Sequence, residues 1–451
     1  MLQSNLEEIL AQVRQSLETQ NVSQAVAIIE QFYPPDQAEL ISELTDQAQQ
    51  RLLPQMRPDD VADILAEMDE MEAAELVAHL PTLAASRIVD EMEPDEAVDV
   101  LGSMEPDAAR AVLAGMEDAE DIRPLLLHPD DTAGGLMTSE FLALRRRMTR
   151  DDALQALHDW QPDNDDLNYL FVVDGQRRLC GAVSLRQLII ADPHTPLANI
   201  MDPEVIYVPL GTDQEECARL MSRYHLLALP VVDEEGLLVG VITIDDVVDV
   251  LEDEATEDIQ RLGATEPLDR PYLDTPVLGV ARRRIGWLLL LFLTETLTGS
   301  VLRHFETELQ AVVALSFFIP LLIGTGGNAG SQTTSTIIRA IALGEFDAKG
   351  MLRPLWHELR IGLLLGLVMG VVAYARALMW GTSSGVALTV SLAIFAIVVW
   401  ANSLGAVLPL LARRLRIDPT VVSGPAMSTL VDATGLFIYM TIAGIVLGLS
   451  H

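Results

Sequence analysis

Asp432 is an acidic residue inside an apolar stretch near the C-terminal end of the sequence, VSGPAMSTLVDATGLFIYM. A carboxylate at the centre of a bilayer costs about 2.5–3.5 kcal/mol on insertion scales, so it must face protein, water or an ion. Gly424 and Pro425 precede it, and they can loosen a helix and free backbone carbonyls for a hard cation or its water shell. We therefore predict that Asp432 binds a cation within a membrane. The alternative is a carboxyl group that is kept protonated or is hydrogen-bonded by a neighbouring helix.

A second polar stretch at membrane depth is GTGGNAGSQTTST, residues 324–336. Its small residues permit close approach of helices, and its hydroxyl and amide groups can line a wet path. The same composition is typical of a helix-packing seam, so both interpretations stay open. Glu295, in an earlier apolar stretch, is better explained by hydrogen bonding between helices than by transport.

A third group of acidic residues lies in the segment IDDVVDVLEDEATEDIQRLGA. On a helix, its acids fall on one face at steps of three and four: Asp246, Asp249, Asp253 and Glu257. Like charges at this spacing destabilise a helix by about 0.2–0.5 kcal/mol per pair. Divalent cations would reverse that effect, so we predict a cation-binding face. A solvated acidic helix is the alternative.

The charge of the chain is divided unevenly. Residues 1–280 contain 58 Asp or Glu and 17 Arg, a net charge of −41, whereas the rest of the chain carries +4. Such an acidic region repels nucleic acid and anionic lipid and favours small cations as partners. The surface of a salt-adapted protein is the alternative for most of these carboxylates, and the single lysine, Lys349, fits it.

Sequence features typical of an enzyme or a secreted domain are missing. The eight His are scattered, and Cys180 and Cys217 match no zinc or redox spacing. We recognise no nucleophile–base pair and no phosphate-binding loop, so we do not expect an enzyme. The first residues, MLQSNLEEIL, lack the basic start and apolar run of a secretory signal, so we expect the first part of the chain in the cytoplasm.

Apolar stretches of membrane-spanning length follow the basic cluster Arg282, Arg283 and Arg284. They are residues 285–302, 311–342, 355–380, 386–411 and 421–449. A hydrocarbon core about 30 Å thick needs about 20 helical residues, so we predict five spans. Later loops on the side of the arginine cluster are basic, whereas the loop 381–385 is uncharged. The positive-inside rule then places the N-terminus inside the cell and the C-terminus outside.

Two internal repeats organise the part before the membrane. Residues 58–117 repeat with a period of twelve, as in PDDVADILAEMD and PDEAVDVLGSME, and each unit predicts a short amphipathic helix. Five such helices must stack to bury their apolar faces, which predicts an α-helical solenoid. A longer α/β repeat follows, because MTSEFLAL, FVVD and GAVSLRQL recur as MDPEVIYV, PVVD and GVITIDDV. This pair resembles tandem cystathionine-β-synthase (CBS) domains, which often bind adenine nucleotides.

Taken together, the repeats, GTGGNAGSQ and RIDPTVVSGPAMSTLVDATG resemble the MgtE family of bacterial magnesium channels over almost the whole chain. The resemblance implies a multi-domain protein. Its parts are an acidic helical-repeat domain (residues 1–130), α/β tandem CBS domains (131–250, divided near 200), a connecting or plug helix (251–275) and an all-α five-span pore domain (276–451). It also implies a homodimer in the bacterial inner membrane that admits Mg²⁺ and is closed by cytoplasmic Mg²⁺.

The resemblance also assigns residues. Asp432 would hold hydrated magnesium in the pore, and Asp418 would bind a further ion at the cytoplasmic mouth of the last span. Regulatory magnesium would bind the carboxylates Asp246, Asp249, Glu254, Glu257, Asp258, Asp63, Asp95, Asp99, Asp213 and Glu215. The pore-lining residues would be Gly327, Asn328, Ser331, Gln332, Pro425 and Thr429.

Some residues depart from the family pattern. His225 stands where an acidic ligand is expected, and Gln187 stands where an Asp usually binds ribose. Ser331 is a smaller deviation in the pore motif. Tyr169 and Arg186 remain as nucleotide contacts, so ATP or another adenine nucleotide is the cofactor that the resemblance implies besides Mg²⁺.

Three other functions stay open at this point. A coupled divalent-cation carrier would have the same acidic residues as a channel. A CBS-regulated anion transporter would need basic groups in its spans, where the sequence offers Asp432 and little that is cationic. A membrane-bound sensor without transport would not need polar residues in the second and fifth spans.

Overall fold

The computed structural model describes residues 2–160, 169–268, 270, 272–273, 275–345, 352–415, 417–422 and 424–449. The side chains of residues 2–5 and of Tyr169 lie outside this description. The chain forms two compact units, Met1–Asp253 and Glu254–His451, and each is described by itself.

The first unit begins with a series of short helices. They are α1 (Leu2–Glu18), α2 (Val22–Ile29), α3 (Pro34–Ser42), α4 (Asp46–Leu52), α5 (Pro58–Ala66), α6 (Glu70–His79), α7 (Thr82–Val89), α8 (Pro94–Ser103), α9 (Pro106–Leu113) and α10 (Ala119–Leu125). Pro58, Pro94 and Pro106 each lie in the first turn of a helix. The backbone N–H that proline lacks would have no partner within the helix there, so proline costs nothing. From α2 to α8, each helix packs on the second one after it, as α5 on α7 and α6 on α8, which confirms the predicted solenoid.

Two three-stranded sheets follow in the same unit. The elements are β1 (Ala143–Arg145), α11 (Arg150–Trp160), β2 (Tyr169–Val173), β3 (Leu179–Ser184), α12 (Leu185–Ile190), β4 (Val208–Pro209), α13 (Gln214–Tyr224), β5 (Ala228–Val232) and β6 (Leu238–Thr243). In both sheets the first strand is parallel to the second and the second antiparallel to the third. The two sheets share one topology, which confirms the α/β repeat.

The two α/β repeats exchange their leading segments. A Cβ atom on Gly240 in β6 would lie 2.4 Å from the sulfur of Met137, which precedes the first sheet. In the same way, a Cβ atom on Gly181 in β3 would lie 2.6 Å from the sulfur of Met201, which precedes the second. The matched glycines and methionines that define the repeat in sequence are therefore the contacts that join the two repeats.

The connecting helix begins and ends earlier than predicted. We placed it over residues 251–275, whereas α14 spans Ile244–Leu262 and follows β6 directly. The described residues between Leu262 and Pro276 form turns, bends and irregular chain. The acidic helix of the second CBS repeat and the connecting helix are thus one element, and Gly263 follows its end.

In the described part of the second unit, five helical segments are long and apolar enough to cross a membrane. They contain α15 (Val277–His304), α17 (Ile319–Ala342), α18 (Leu352–Met379), α19 (Ser384–Arg414) and α20 (Gly424–Leu447). The short helix α16 (Glu306–Ala311) and a 3-10 turn, Val313–Phe318, precede α17. The first helix begins at Val277 rather than at Ile285, because the basic cluster Arg282–Arg284 continues the helix instead of preceding it.

Candidate ion-binding sites

Asp432 lies in the middle of α20 and is half-buried. Within the described residues, one of its carboxyl oxygens, Oδ1, is buried without a hydrogen-bond partner. A buried acceptor without a donor costs free energy unless water or an ion reaches it. The unsatisfied oxygen is therefore an observation that favours an ion-binding role over a structural one.

The start of α20 differs from the prediction made for Gly424 and Pro425. Pro425 lies in the first turn, where it breaks no hydrogen bond, so α20 runs unbroken to Leu447. The Gly424 carbonyl accepts a hydrogen bond from Ser331 Oγ at 3.1 Å, and the Pro425 carbonyl accepts one from Thr429 Oγ1 at 3.0 Å. These carbonyls are already engaged rather than freed for a cation.

The glycine-rich part of α17 combines the two interpretations that the sequence left open. Gly327 is buried, and a Cβ atom on it would lie 2.9 Å from Ser428 Oγ of α20. Gly327 therefore packs α17 against α20, and its pore-lining role stays a prediction. Asn328 and Gln332, one turn apart, are exposed on another face of the same helix.

The other predicted pore residues lie near this exposed polar face. Pro425 is exposed and Thr429 is half-buried in α20, while Ser331 is half-buried between α17 and α20. Polar groups on a membrane helix must meet water, an ion or another protein surface, because lipid cannot hydrogen-bond them. The exposed side chains of Asn328 and Gln332 therefore need a polar partner that lipid does not supply.

Asp418 lies before α20, at the start of the 3-10 turn Pro419–Val421. Its carboxylate accepts hydrogen bonds from Thr420 N at 2.8 Å and Thr420 Oγ1 at 2.6 Å, and it pairs with Arg261 of α14. Glu257 pairs with the same arginine. Burial raises the pKa of nearby Asp258, and the charges of Asp418 and Glu257 add to that effect.

A buried acidic cluster occupies the first unit, where the start of α8 meets the start of α14. Asp95 is 5% exposed, and its Oδ1 lacks a hydrogen-bond partner within the described residues. Burial raises the pKa of Asp95 well above its usual range, and the charge of Asp246 is the next largest cause. Burial also raises the pKa of Asp246, to about 6, although the Thr243 hydroxyl and, at 3.2 Å, Thr243 N donate to it and oppose the shift.

Further acids extend this cluster. Burial raises the pKa of Asp99 to about 8, and the charges of Glu70, Asp130 and Asp246 add to the effect. The pKa of Glu96 also rises to about 8, through burial first and the charge of Glu93 second. Holding so many acids together without a cation requires protons, since their charges repel.

Asp249 connects α14 to the solenoid. Burial raises its pKa, and Asp253, Asp245 and Glu252 on its own helix add to the effect. The charge of Asp249 in turn acts on Glu67, which lies between α5 and α6 and whose pKa burial also raises. Glu67, Glu70, Glu96 and Asp130 are members that the sequence did not predict, because only the stacking of the repeats brings them to α14.

The remaining predicted regulatory residues are more dispersed. Asp63 is exposed on α5, and its charge acts on Glu96 in the buried cluster. Glu254 is half-buried in α14. Asp213 caps α13 by accepting a hydrogen bond from the backbone of the exposed Glu215 at 3.0 Å, which gives Asp213 a structural role. Among the described residues, no three His, Cys, Asp or Glu side chains lie close enough together to hold a metal ion.

The predicted nucleotide contacts Tyr169 and Arg186 belong to β2 and α12. The Tyr169 side chain lies outside the described residues, and Arg186 is exposed on α12. Gln187 caps α12: its side-chain oxygen accepts from Ser184 N and Ser184 Oγ, both at 2.8 Å, and its amide nitrogen donates to the Ile200 carbonyl at 3.1 Å. Gln187 offers no carboxylate to a ribose.

Models of three protein families match the chain. The divalent cation transporter family MgtE matches residues 319–442, and the MgtE intracellular N domain matches residues 32–131. The CBS domain matches residues 133–194 and 197–253. The three matches cover the four membrane helices from α17 to α20, the solenoid from α3 onward and the two α/β repeats.

Individual proteins are similar over most of the chain. A magnesium transporter MgtE from Thermus thermophilus is 46% identical over 72% of this chain and 72% of its own length. Another from Bacillus subtilis is 31% identical over 92% of both. The soluble part of a magnesium transporter aligns with a TM-score of 0.51 and 30% identity over 55% of this chain and 99% of its own. The cytosolic domain of the Mg²⁺ channel MgtE in complex with ATP aligns with the same TM-score and 36% identity over 53% and 99%.

Proposed function

The chain belongs to the MgtE family of magnesium transporters, and on that premise we propose that it is a magnesium channel that cytoplasmic Mg²⁺ closes. It is a multi-pass membrane protein with a cytosolic N-terminal region. The observation that carries the proposal is Asp432, a half-buried carboxylate in α20 whose Oδ1 has no hydrogen-bond partner in the described part of the chain.

The proposed ion path follows the polar face formed by α17 and α20. Asn328, Gln332 and Thr429 can hydrogen-bond the water shell of an ion, and Asp432 supplies the charge. Magnesium gives up its water reluctantly, so a site with one carboxylate and several amide or hydroxyl groups suits a hydrated ion. A site that binds magnesium through its water shell can be selective for the ion without three carboxylates close together.

We propose a homodimer in which this polar face meets its copy. A twofold axis would bring two Asp432 carboxylates to one pore, and it would shield Asn328 and Gln332 from lipid. In a plasma membrane, the N-terminal half then lies in the cytoplasm and the C-terminus outside.

Closure is proposed to depend on the acidic clusters. In the absence of cations, the carboxylates around Asp95, Asp99 and Asp246 repel one another and retain protons. Mg²⁺ would replace those protons, join α14 to the solenoid and, through Glu257 and Asp258, act on the membrane helices. When Mg²⁺ falls, repulsion loosens these contacts and the pore opens.

Nucleotide binding is a separate proposal. It rests on the likeness of residues in the first unit to a cytosolic domain that binds ATP and on the exposure of Arg186. We propose that an adenine nucleotide binds at the CBS pair and that Gln187 weakens its ribose contact.

Transport is tested by Mg²⁺ flux into liposomes that contain the full chain. Asp432→Asn keeps the size of the side chain but removes its charge, and we expect flux to fall at least tenfold. Glu306→Gln, an exposed acid in α16, is the matched control and should keep its flux. If Asp432→Asn transports as well as the wild type, the pore assignment is wrong. Independently of that result, single-channel currents of the wild type in a planar bilayer would distinguish a channel from a coupled carrier.

A further inference from the structure

Arg261, in the last turn of α14, pairs with two carboxylates at once. Its Nη2 contacts Glu257 Oε1, one turn earlier in the same helix, and its Nη1 donates to Asp418 Oδ2 before α20. The planar guanidinium group suits this arrangement because its donors diverge in a fixed fork. All three residues belong to the second unit, so the link lies within one compact body.

The far end of this link is fixed to the last span. Asp418 caps the turn Pro419–Val421 through its hydrogen bonds to Thr420 N and Oγ1, at 2.8 Å and 2.6 Å. That turn leads into α20, which carries Asp432. Arg261 thus ties the end of the acidic helix to the segment that positions the proposed pore carboxylate.

The surroundings of Arg261 are acidic. Asp258 is repelled by the charges of Asp418 and Glu257, and Arg261 and Arg339 are the cations that oppose this repulsion. The three paired side chains are between 31% and 40% exposed. Each ion pair is therefore weakened by water, and the link can exchange with dissolved cations.

We propose that Arg261 is a tethered cation that makes, without a metal, one of the contacts between the end of α14 and the segment before α20, and so lowers the Mg²⁺ concentration needed to close the channel. The inference rests on the proposed function, because it presumes closure by Mg²⁺. Because Arg261 already makes one of the contacts that hold the channel closed, Mg²⁺ has to form only the remaining ones.

The proposal is tested with the full chain in inside-out membrane patches, with Mg²⁺ as the permeating ion and varied on the cytoplasmic side. For Arg261→Gln we expect the half-closing Mg²⁺ concentration to rise about three- to tenfold, the size expected from two partly exposed ion pairs. Closure at saturating Mg²⁺ should remain, because the released carboxylates can then bind Mg²⁺. Arg110→Gln, which removes an exposed ion pair with Asp107 in the solenoid, is the matched control and should leave the curve unchanged.

Two further variants separate a charge link from a general structural role. Asp418→Asn keeps an oxygen for the Thr420 cap but removes the charge, and it should shift the curve as Arg261→Gln does. The double variant should shift it no further, and Arg261→Lys should restore part of the wild-type response. An unchanged or lowered half-closing concentration in Arg261→Gln, or additive shifts in the double variant, would overturn the proposal. A wild-type channel that stays open at saturating Mg²⁺ would refute the gating model as well.

Discussion

Gly405 of α19 lies directly against the backbone of Gly330 of α17, since a Cβ atom on Gly405 would stand 2.7 Å from the Gly330 carbonyl oxygen. Backbone cannot move aside as a side-chain end can. The contact sets the distance between α17, which carries Asn328 and Gln332, and α19, on which α20 also packs. The position of the polar face therefore depends on Gly405, a small residue that belongs to neither α17 nor α20.

We expect Gly405→Ala to destabilise the membrane unit by about 1–3 kcal/mol, the usual cost of overpacking. Gly324→Ala in α17 is the control, because nothing lies within 4 Å of its added methyl group. Thermal unfolding of the purified full chain measures the difference. Equal melting temperatures for the two variants would contradict the close approach of α17 and α19.

The buried acids make the metal-free first unit sensitive to pH. The pKa of Asp99 is about 8 in the fold because of burial and of Glu70, Asp130 and Asp246, against about 3.9 in an unfolded chain. A raised pKa gives stability that is fully present below the unfolded value and is lost as the pH rises through the folded one. In a chelator, we therefore expect the melting temperature to fall by several degrees between pH 6 and pH 9.

Asp99→Asn should reduce this pH dependence, because the amide carries no charge at either pH. For each pH unit over which one such group is protonated in the folded chain but not in the unfolded chain, the free energy of unfolding changes by about 1.4 kcal/mol. A wild-type melting temperature that rises between pH 6 and pH 9 in the chelator would contradict the burial of these carboxyl groups.

Asp95 should control how strongly Mg²⁺ stabilises the same unit. A ligand that binds only the folded state raises its stability, and Asp95 offers an unpartnered oxygen within the described residues. We expect Asp95→Asn to raise the metal-free melting temperature at pH 8 and to halve, at least, the increase that Mg²⁺ causes.

The control for Asp95 is its repeat equivalent, Asp107. Both follow the proline that begins a solenoid helix, but the Asp107 side chain is 94% exposed and pairs with Arg110. Asp107→Asn should therefore leave the Mg²⁺ response as it is. Equal Mg²⁺ responses of the wild type and Asp95→Asn would remove Asp95 from the regulatory site.

Periodicity predicted the fold better than it predicted the sites. The twelve-residue and α/β repeats gave the solenoid and the two sheets, because each repeat forms one local element. Both bounds of α14 were predicted too late in the chain, because the connecting helix was expected to follow the second α/β repeat, whereas one helix runs from the end of that repeat to Leu262. Pro425 was misread because its effect depends on whether it starts a helix or lies inside one.

Site contacts were harder to predict because they join distant parts of the chain. Arg261 and Asp418 are 157 residues apart in sequence. Glu67 and Glu70 reach the acids of α14 only through the stacking of the solenoid. Spacing along one helix revealed Asp246 and Asp249, but it carries no information about the partners that other elements supply.

Gln187 should limit nucleotide binding at the CBS pair, and Asp should restore it. At the matched position of the second repeat, Asp246 accepts a hydrogen bond from Thr243 N at 3.2 Å, so a carboxylate can take over the cap that Gln187 now provides. A carboxylate also accepts hydrogen bonds from ribose hydroxyls, and such charge-assisted bonds contribute about 1.5–3 kcal/mol. We expect Gln187→Asp to bind ATP at least tenfold more tightly by titration calorimetry. Arg186→Gln in that background should weaken binding again, whereas equal affinities of Gln187→Asp and the wild type would show that residue 187 does not contact the nucleotide.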